Sequence, residues 1–165
     1  RSMIYLSLDQ AMRTTGWAIF ENDELKKCGS FTIPSHHLIE QRLNEFMREL
    51  NNLYREYEFD ELFFEDIQNQ NNNETYKKLA YVQATIIIWC YNNNIKFSIL
   101  SPSHWRSVLK ERCGISFGRK REDQKQKAIE FVQQFFARMV SSDEADAICL
   151  GYAGICEQGR TESAF

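Results

Sequence analysis

The order of the short apolar runs along the chain constrains the fold more than any other feature. Three such runs come first, separated only by polar turns, as in an antiparallel meander. Two more follow, and each is preceded by a segment with helical spacing, which is typical of parallel strands joined through helices. The runs are residues 3–8, 16–20, 26–33, 61–67 and 96–100. We therefore expect an α/β fold with a five-stranded mixed sheet, antiparallel over the first three strands and parallel afterwards, with helices on both faces.

Segments with helical features fill the spaces between and after the later strands. In the first of them, apolar residues recur at intervals of three and four, which marks an amphipathic helix. Ser101-Pro102 starts a later helix, and Ser141-Ser142 caps the last one, with Ser142 placing Asp143 in the first turn. The predicted helices are residues 38–57, 74–91, 102–112, 122–139 and 143–157.

Length and composition fit one domain. The chain has 165 residues, of which 43% are hydrophobic, and this is enough for a single core. We expect the domain to cover residues 3–158, with Arg1-Ser2 as a cloning remnant and residues 159–165 as a flexible tail. The longest apolar stretch, residues 84–91, is much shorter than the roughly 20 residues that a membrane helix needs. With no signal peptide and no CxxC pair among the cysteines, we expect a cytoplasmic protein with reduced thiols.

Charge is distributed unevenly along the chain. The net charge is -3, yet residues 96–127 contain nine Lys or Arg and three acids, which gives this segment +6 and the remainder -9. A cationic segment can bind phosphate, whereas an acidic remainder can collect carboxylates whose repulsion a cation relieves. The distribution favours a metal-dependent enzyme that acts on nucleic acid.

Four carboxylates stand where such chemistry is readily built. Asp9 directly follows the first strand, and Glu65 lies near the end of the fourth. Asp143 and Asp146 are three residues apart at the start of the last helix and so share a face. Carboxylates that converge without cationic partners suit a hard dication such as Mg²⁺. Two such ions about 4 Å apart would bracket a scissile phosphate, one activating water and the other stabilising the leaving 3′-oxygen.

Taken singly, most of these acids have a simpler explanation. Asp9 could serve a turn, Glu65 could lie half exposed on an edge strand, and Asp143 could serve the helix start. Asp146 is harder to explain because the apolar residues after it suggest a buried helix. The prediction therefore depends on all of them together. Since successive strand side chains point to opposite faces, Glu65 and the adjacent Asp66 cannot both face Asp9.

Several motifs resemble those of a known family, the RuvC Holliday-junction resolvases. LSLDQAMRTTGWAIF is similar to the opening strand of that family, FFEDIQNQ to its strand with the glutamate, and SSDEADAICLG to its C-terminal DxxDA motif. GRKREDQKQKAIEFV is similar to the lysine-bearing stretch that precedes this motif. The similarity covers residues 3–157, and the small size is most like the phage-encoded branch.

The resemblance implies an RNase H-like fold and a homodimer that makes paired nicks in Holliday junctions and other branched DNA. It further implies dependence on Mg²⁺ or Mn²⁺, products with 5′-phosphate and 3′-hydroxyl ends, and a location in the cytoplasm of a bacterial host if the source is a phage. By position, the family's metal-binding acids correspond to Asp9, Glu65, Asp143 and Asp146. Lys125 best matches the active-site lysine, with Lys127 as the alternative.

One position departs from the family pattern. Cellular resolvases have an aromatic wedge three residues after the strand glutamate, and this chain has Gln68 there, in the Asn/Gln-rich loop 68–73. The departure predicts a broader range of branched substrates, including forks and three-way junctions.

Cations outside the acid cluster are candidates for phosphate contacts, although each could equally belong to a solvated helix face. The candidate DNA-binding residues are Arg119, Lys120, Arg121, Lys125, Lys127, Lys77 and Lys78. We take Trp105 as a core or helix-packing residue rather than a base-stacking one. The helix over residues 74–91 is apolar on more than one face, so we expect it to pack on the sheet and to form the dimer contact.

Three other functions are compatible with parts of this pattern. An RNase H-like hydrolase of RNA/DNA hybrids would carry similar carboxylates. A non-catalytic protein that binds branched DNA would carry the same basic segment, although its acids would only weaken phosphate binding without a metal. A sugar-kinase-like ATPase also has an acid near its first strand, but no Gly-rich phosphate loop accompanies Gly16 here.

Overall fold

The computed structural model describes residues 1–68 and 71–163. Within this part of the chain, strands and helices follow the predicted order. The strands are β1 (Ile4–Asp9), β2 (Thr14–Glu21), β3 (Glu24–Thr32), β4 (Glu61–Glu65) and β5 (Lys96–Leu100). The helices are α1 (Ile39–Tyr57), α2 (Asn73–Asn92), α3 (Pro102–Cys113), α4 (Arg121–Phe136) and α5 (Ser142–Ser163).

The strands form one mixed sheet in the order β3-β2-β1-β4-β5. The first three strands are an antiparallel meander, while β4 is parallel to β1 and β5 is parallel to β4. The predicted fold class is therefore confirmed. In the β1–β4 pair Leu8 lies opposite Phe64, so the next residue of each strand, Asp9 and Glu65, ends its strand at the same edge of the sheet.

Each face of the sheet is covered by its own helices. Leu6, Leu8 and Phe64 belong to a buried cluster with α1 and α2, which contribute Phe46 and Trp89 among others. Residues one position along the same strands, such as Tyr5 and Phe63, belong to a second cluster with α3, α4 and α5. This division follows from the two-residue period of a strand, which sends alternate side chains to opposite faces.

Helix α5 approaches the sheet closely because its facing positions carry small residues. Ser7 on β1 donates its Oγ hydrogen to the carbonyl oxygen of Ala147 at 2.6 Å. One turn further on, a Cβ atom at Gly151 would lie 2.5 Å from Ser7 Oγ and 2.8 Å from a ring carbon of Phe20. A Cβ atom at Gly154 would meet the Phe63 ring at 2.7 Å. The close packing sets where the acidic start of α5 lies relative to β1.

Some element ends differ from the sequence prediction. Helix α4 ends at Phe136 rather than residue 139, because Ala137 adopts a left-handed conformation with φ of 56°. Helix α5 is capped by Ser141 rather than Ser142, since Ser141 Oγ accepts from the Glu144 N–H at 3.2 Å.

Two further differences are at the end of β4 and the end of α5. Strand β4 ends at Glu65, and the following Asp66 bonds the Ile67 N–H through its own side chain. Helix α5 continues past residue 157 to Ser163 and takes in most of the segment predicted as a tail, while residues 164–165 lie outside the described residues. Gln158 donates to Glu61 at 2.5 Å, a tertiary contact that helical periodicity does not reveal. Among the described residues, no helix has the length and apolar character needed to cross a bilayer.

Candidate active site

Asp9 and Glu65 lie at the carboxyl ends of the two central parallel strands, and both are partly buried. The Gln10 side chain links the two strand ends: its Nε2 donates to the Glu65 carbonyl oxygen at 2.5 Å, and its Oε1 accepts from the Glu65 N–H at 3.0 Å. From α3, Trp105 Nε1 donates to Glu65 Oε2 at 3.1 Å. Asp66 is exposed, so the structure brings Glu65 rather than its neighbour to Asp9.

The start of α5 brings Asp143 and Asp146 to the same place. Ser141 and Glu144 form a reciprocal cap, in which the Ser141 N–H donates to Glu144 Oε1 at 3.1 Å, and this fixes where the helix begins. On β2, Gly16 lies opposite Asp9, and a Cβ atom there would overlap the Asp143 backbone carbonyl. The absence of a side chain at Gly16 therefore lets α5 begin against the end of β1.

The electrostatics of Asp9 show that the four acids converge. Burial raises the pKa of Asp9 well above its ordinary value, and the charges of Glu65, Asp146 and Asp143 raise the pKa further in that order. The positive charge of Lys125 acts in the opposite direction on the same pKa. The other three predicted acids and the predicted lysine thus all lie within electrostatic reach of Asp9.

The pKa values of two other acids of the cluster, Glu65 and Asp146, are also raised. Burial raises the pKa of Glu65 to about 7; the Trp105 hydrogen bond and the Arg106 charge lower it, while Asp146 raises it. Burial raises the pKa of Asp146 to about 6, and the charge of Asp143 adds to this shift. Arg106 opposes the shift most strongly, followed by Lys125 and Arg121. Nearby cations therefore do not offset the cost of holding these carboxylates charged and partly buried.

The residues present fit a divalent cation of the hard, oxygen-binding type. Across residues 1–68 and 71–163, no three His, Cys, Asp or Glu side chains stand close enough to hold an ion as they are placed. The donor set at the cluster is nonetheless all carboxylate, and burial and mutual repulsion both raise the pKa values there. A dication would relieve both effects, and the oxygen ligands suit Mg²⁺ or Mn²⁺ rather than a softer metal.

Lys125 and Lys127 occupy different surroundings on α4. The charge of Lys125 acts on both Asp9 and Asp146. Lys127 instead lies 3.7 Å from Glu130 on its own helix, and it borders a surface cavity lined by Cys113 and Phe135. The effect of its charge on these two acids therefore favours Lys125 as the lysine of the cluster.

The remaining candidate cations are exposed. Arg119, Lys120 and Arg121 lie at or just before the first turn of α4, and the charge of Arg121 reaches Asp146. Lys77 and Lys78 lie in the first turns of α2, where Lys77 is 3.7 Å from Glu74. Gln68, at the position of the family's aromatic wedge, is exposed, and residues 69–70 of the Asn/Gln-rich loop lie outside the described residues.

Sequence reasoning missed three residues that contact or influence the acids: Gln10, Trp105 and Arg106. Trp105 is buried as expected of a core residue, yet its indole N–H binds Glu65. The Arg106 guanidinium carbon lies 4.9 Å from the Trp105 ring centroid, and its charge lowers the pKa of Glu65 and Asp146. The one signal in the sequence was that Gln10 directly follows Asp9. Nothing in the residue spacing indicates that α3 contacts β4.

A mixed sheet of this topology, with carboxylates converging at the ends of its central strands and on a facing helix, defines an RNase H-like domain of the nuclease type. A family model described as "Crossover junction endodeoxyribonuclease RuvC" matches residues 5–154. The chain therefore belongs to the RuvC family of crossover junction endodeoxyribonucleases.

Individual relatives agree with this assignment. The RuvC of Rickettsia africae is 29% identical over 154 residues, which are 91% of this chain and 95% of that protein. The RuvC of Finegoldia magna is 23% identical over 157 residues, 93% of each chain. Among solved structures, T. thermophilus RuvC in complex with Holliday junction substrate aligns with a TM-score of 0.78 at 10% identity, covering 96% of both chains. The yeast mitochondrial Holliday junction resolvase aligns with a TM-score of 0.62 at 12% identity, covering 96% of this chain and 80% of that one. At these identities the structural matches show a shared fold.

Proposed function

We propose that this protein is a metal-dependent, structure-selective endonuclease that resolves Holliday junctions and other branched DNA by paired phosphodiester hydrolysis. The products would carry 5′-phosphate and 3′-hydroxyl ends. The observation that carries the proposal is the cluster of Asp9, Glu65, Asp143 and Asp146, which come from two strands and one helix. Burial raises the pKa of Asp9, and the charges of the other three acids raise it further. Membership of the RuvC family supports the choice of substrate.

In this proposal Asp9, Glu65, Asp143 and Asp146 hold two Mg²⁺ ions, with Mn²⁺ as a substitute. Bound there, the ions would lower the pKa of the attacking water and stabilise the leaving 3′-oxygen. The protein orients these carboxylates through the β1–β4 register and the capped start of α5. Lys125, which is exposed beside the cluster, would bind the scissile phosphate and stabilise its charge.

Branched DNA is the proposed partner, bound through the exposed cations at the start of α4 and, more distantly, of α2. Those cations are Arg119, Lys120, Arg121, Lys125, Lys127, Lys77 and Lys78. With Gln68 in place of an aromatic wedge, three-way junctions and forks are included among the substrates. A cytoplasmic location fits the five free cysteines.

Paired cleavage of two opposed strands requires two active sites, and a homodimer would provide them through a two-fold axis. Helix α2 is the proposed contact because it leaves apolar side chains exposed on one stripe at helical spacing. The stripe is formed by Tyr81, Ala84, Ile88 and Tyr91, with Ile88 51% and Tyr91 77% exposed. Such a stripe would be buried against the same stripe of a second copy.

The direct test compares synthetic four-way, three-way, flap and linear duplex DNA, together with an RNA/DNA hybrid, in Mg²⁺ and in EDTA. We expect cleavage of the branched substrates in Mg²⁺ only, and paired nicks in the four-way junction. Cleavage in EDTA, or equal cutting of linear duplex, would contradict the proposal. Faster cutting of the hybrid would indicate an RNA/DNA hybrid nuclease instead.

Asp146→Asn separates catalysis from binding. Because it removes a metal ligand and one negative charge near the DNA, we expect cleavage to fall by at least about a hundredfold while junction binding is kept or improved. Cleavage assays and gel-shift titrations on the same four-way junction measure the two effects. If wild-type protein binds junctions yet neither protein cleaves them, the chain is a non-catalytic DNA-binding protein.

A further inference from the structure

Two side chains from different elements hold Glu65 at two separate points. Gln10, in the segment after β1, bonds the backbone of Glu65, whereas Trp105, on α3, bonds its carboxylate. Among the hydrogen bonds found in residues 1–68 and 71–163, no such pair of side-chain bonds holds any of the other three acids, Asp9, Asp143 and Asp146.

The Gln10 carboxamide takes the place of a strand residue. The β1–β4 ladder ends at the Leu8–Phe64 pair, while β1 continues to pair with β2 as far as Asp9 and Gly16. A carboxamide has the same donor and acceptor as a peptide group. Gln10 bonds both the N–H and the carbonyl oxygen of Glu65. Its side chain therefore continues the hydrogen bonding between β1 and β4 one position beyond the Leu8–Phe64 pair, in place of strand backbone.

Trp105 sets the orientation of the Glu65 carboxylate. Its ring is 1% exposed and stands edge-on to Phe117, with the ring centroids 5.4 Å apart, so the indole has little freedom to turn. The indole N–H can only donate, and it engages Oε2 at 3.1 Å. The other carboxylate oxygen, Oε1, would then be the one available to a bound cation.

We propose that Gln10 and Trp105 are positioning residues that together present Glu65 to the metal ions, Gln10 by fixing its backbone beside Asp9 and Trp105 by fixing which carboxylate oxygen binds. The inference rests on the proposed metal-dependent function. Partners that orient metal ligands in this way contribute about 10- to 100-fold to metal affinity or activity.

The first experiment compares Trp105→Phe with a matched control, Trp89→Phe. Both tryptophans are buried and use the indole N–H, but Trp89 donates to Asn51 at 2.8 Å on the opposite face of the sheet. Calorimetry would measure Mn²⁺ binding to the DNA-free proteins, and cleavage of a four-way junction would be followed against Mg²⁺ concentration. For W105F we expect Mn²⁺ affinity about tenfold or more below wild type, with cleavage recovering at high Mg²⁺. W89F should match wild type in both measurements.

The second experiment compares Gln10→Met with Gln158→Met. Methionine keeps the side-chain length and removes the amide; Gln158 donates to Glu61 near the opposite end of the same strand. Amide hydrogen exchange measured by NMR should speed up at Glu65 in Q10M and stay unchanged there in Q158M. Weaker Mn²⁺ binding should accompany the change in Q10M only.

Equal Mn²⁺ affinity and equal Mg²⁺ dependence in W105F, Q10M and the two controls would overturn the inference. If wild-type protein binds Mn²⁺, loses it on Asp9→Asn, and yet cuts none of the branched substrates, the proposed function fails while the positioning roles stand. A wild-type protein that binds no Mn²⁺ overturns both proposals.

Discussion

The acids of the cluster are carboxylates whose burial is not offset by nearby positive charges. Asp9, Glu65 and Asp146 are partly buried carboxylates, and burial is the largest cause of the raised pKa of each. Lys125 and Arg106 oppose the shifts without cancelling them. The cluster therefore destabilises the metal-free fold. Such clusters are typical of sites where residues are selected for function rather than for stability.

Replacing Lys125 should affect catalysis far more than replacing Lys127. The charge of Lys125 acts on the acid cluster, whereas Lys127 is next to Glu130 on its own helix. We expect Lys125→Ala to lower the single-turnover cleavage rate by about 100-fold, as loss of one donor to a reacting phosphate does. Lys127→Ala should stay within about threefold of wild type. Equal losses in the two variants would show that both lysines act only through general phosphate attraction.

The pH dependence of the metal-free protein follows from the raised pKa values. A carboxyl whose pKa is higher in the folded state favours folding when protonated, so its contribution is complete below about pH 4 and is lost as pH rises through the folded value. For Glu65 that value is about 7. In EDTA we expect the unfolding free energy of wild type, relative to Glu65→Gln, to fall between about pH 4 and pH 7. Urea titrations at each pH would measure this difference in unfolding free energy. A difference that does not change with pH would contradict the raised pKa of Glu65. Adding Mg²⁺ should reverse the fall in stability.

At the level of elements, α5 decides whether the site forms. The helix carries Asp143 and Asp146, and small residues along it allow close contact with the sheet through Ser7 and Phe63. Gly16 on β2 gives the first turn of α5 the same close approach. The separation between helix and sheet therefore controls the separation of the acids.

Gly151→Ala tests this dependence, with Gly159→Ala on the same helix as its control. A Cβ atom at Gly151 would lie 2.5 Å from Ser7 Oγ, whereas one at Gly159 would have no heavy atom within 4 Å. We expect G151A to lose about 1–3 kcal/mol of unfolding free energy through overpacking, along with most of its cleavage activity. G159A should gain up to about 1 kcal/mol from helix propensity and keep its activity. Urea unfolding and junction cleavage measure both; a harmless G151A would mean that α5 can shift without loss.

At the scale of the whole molecule, the cationic segment and the apolar stripe of α2 lie in different places. Most of the cationic segment 96–127 belongs to α3 and the start of α4, which border the acid cluster, while the exposed apolar stripe lies on α2, over the other face of the sheet. The proposed DNA-binding cations of α4 and the proposed dimer stripe of α2 therefore lie on different faces of the sheet.

Disrupting the α2 stripe should separate dimer formation from chemistry. We expect Ile88→Glu combined with Tyr81→Glu to give a monomer, because like charges would face each other across a two-fold axis. Junctions would then be nicked once instead of twice. Light scattering after gel filtration measures the mass, and a cruciform plasmid distinguishes nicked from linear product. Met139→Glu, at an apolar side chain 80% exposed on another part of the surface, is the control. A dimeric double variant would place the contact elsewhere.

The sequence predicted the local structure well wherever local physics dominates. Strand positions followed from apolar runs, and the start of α3 followed from Ser101-Pro102, whose serine accepts from the His104 N–H at 3.2 Å. Helix ends were less predictable. Ala137 takes a left-handed conformation that no propensity marks, and Gln158, beyond the predicted end of α5, makes a tertiary contact with β4.

By itself, then, the sequence determined the order of elements, the five-stranded mixed sheet and the identity of four candidate acids, since periodicity and residue chemistry are properties of short segments. Only the tertiary structure decided that these acids share one electrostatic environment and that Lys125 rather than Lys127 faces them. It also decided that Gln10 and Trp105 hold Glu65 from outside its own strand. The reason is that hydrogen bonds and electrostatic interactions depend on distance in space, and packing of α5 and α3 on the sheet sets that distance between residues far apart in the chain.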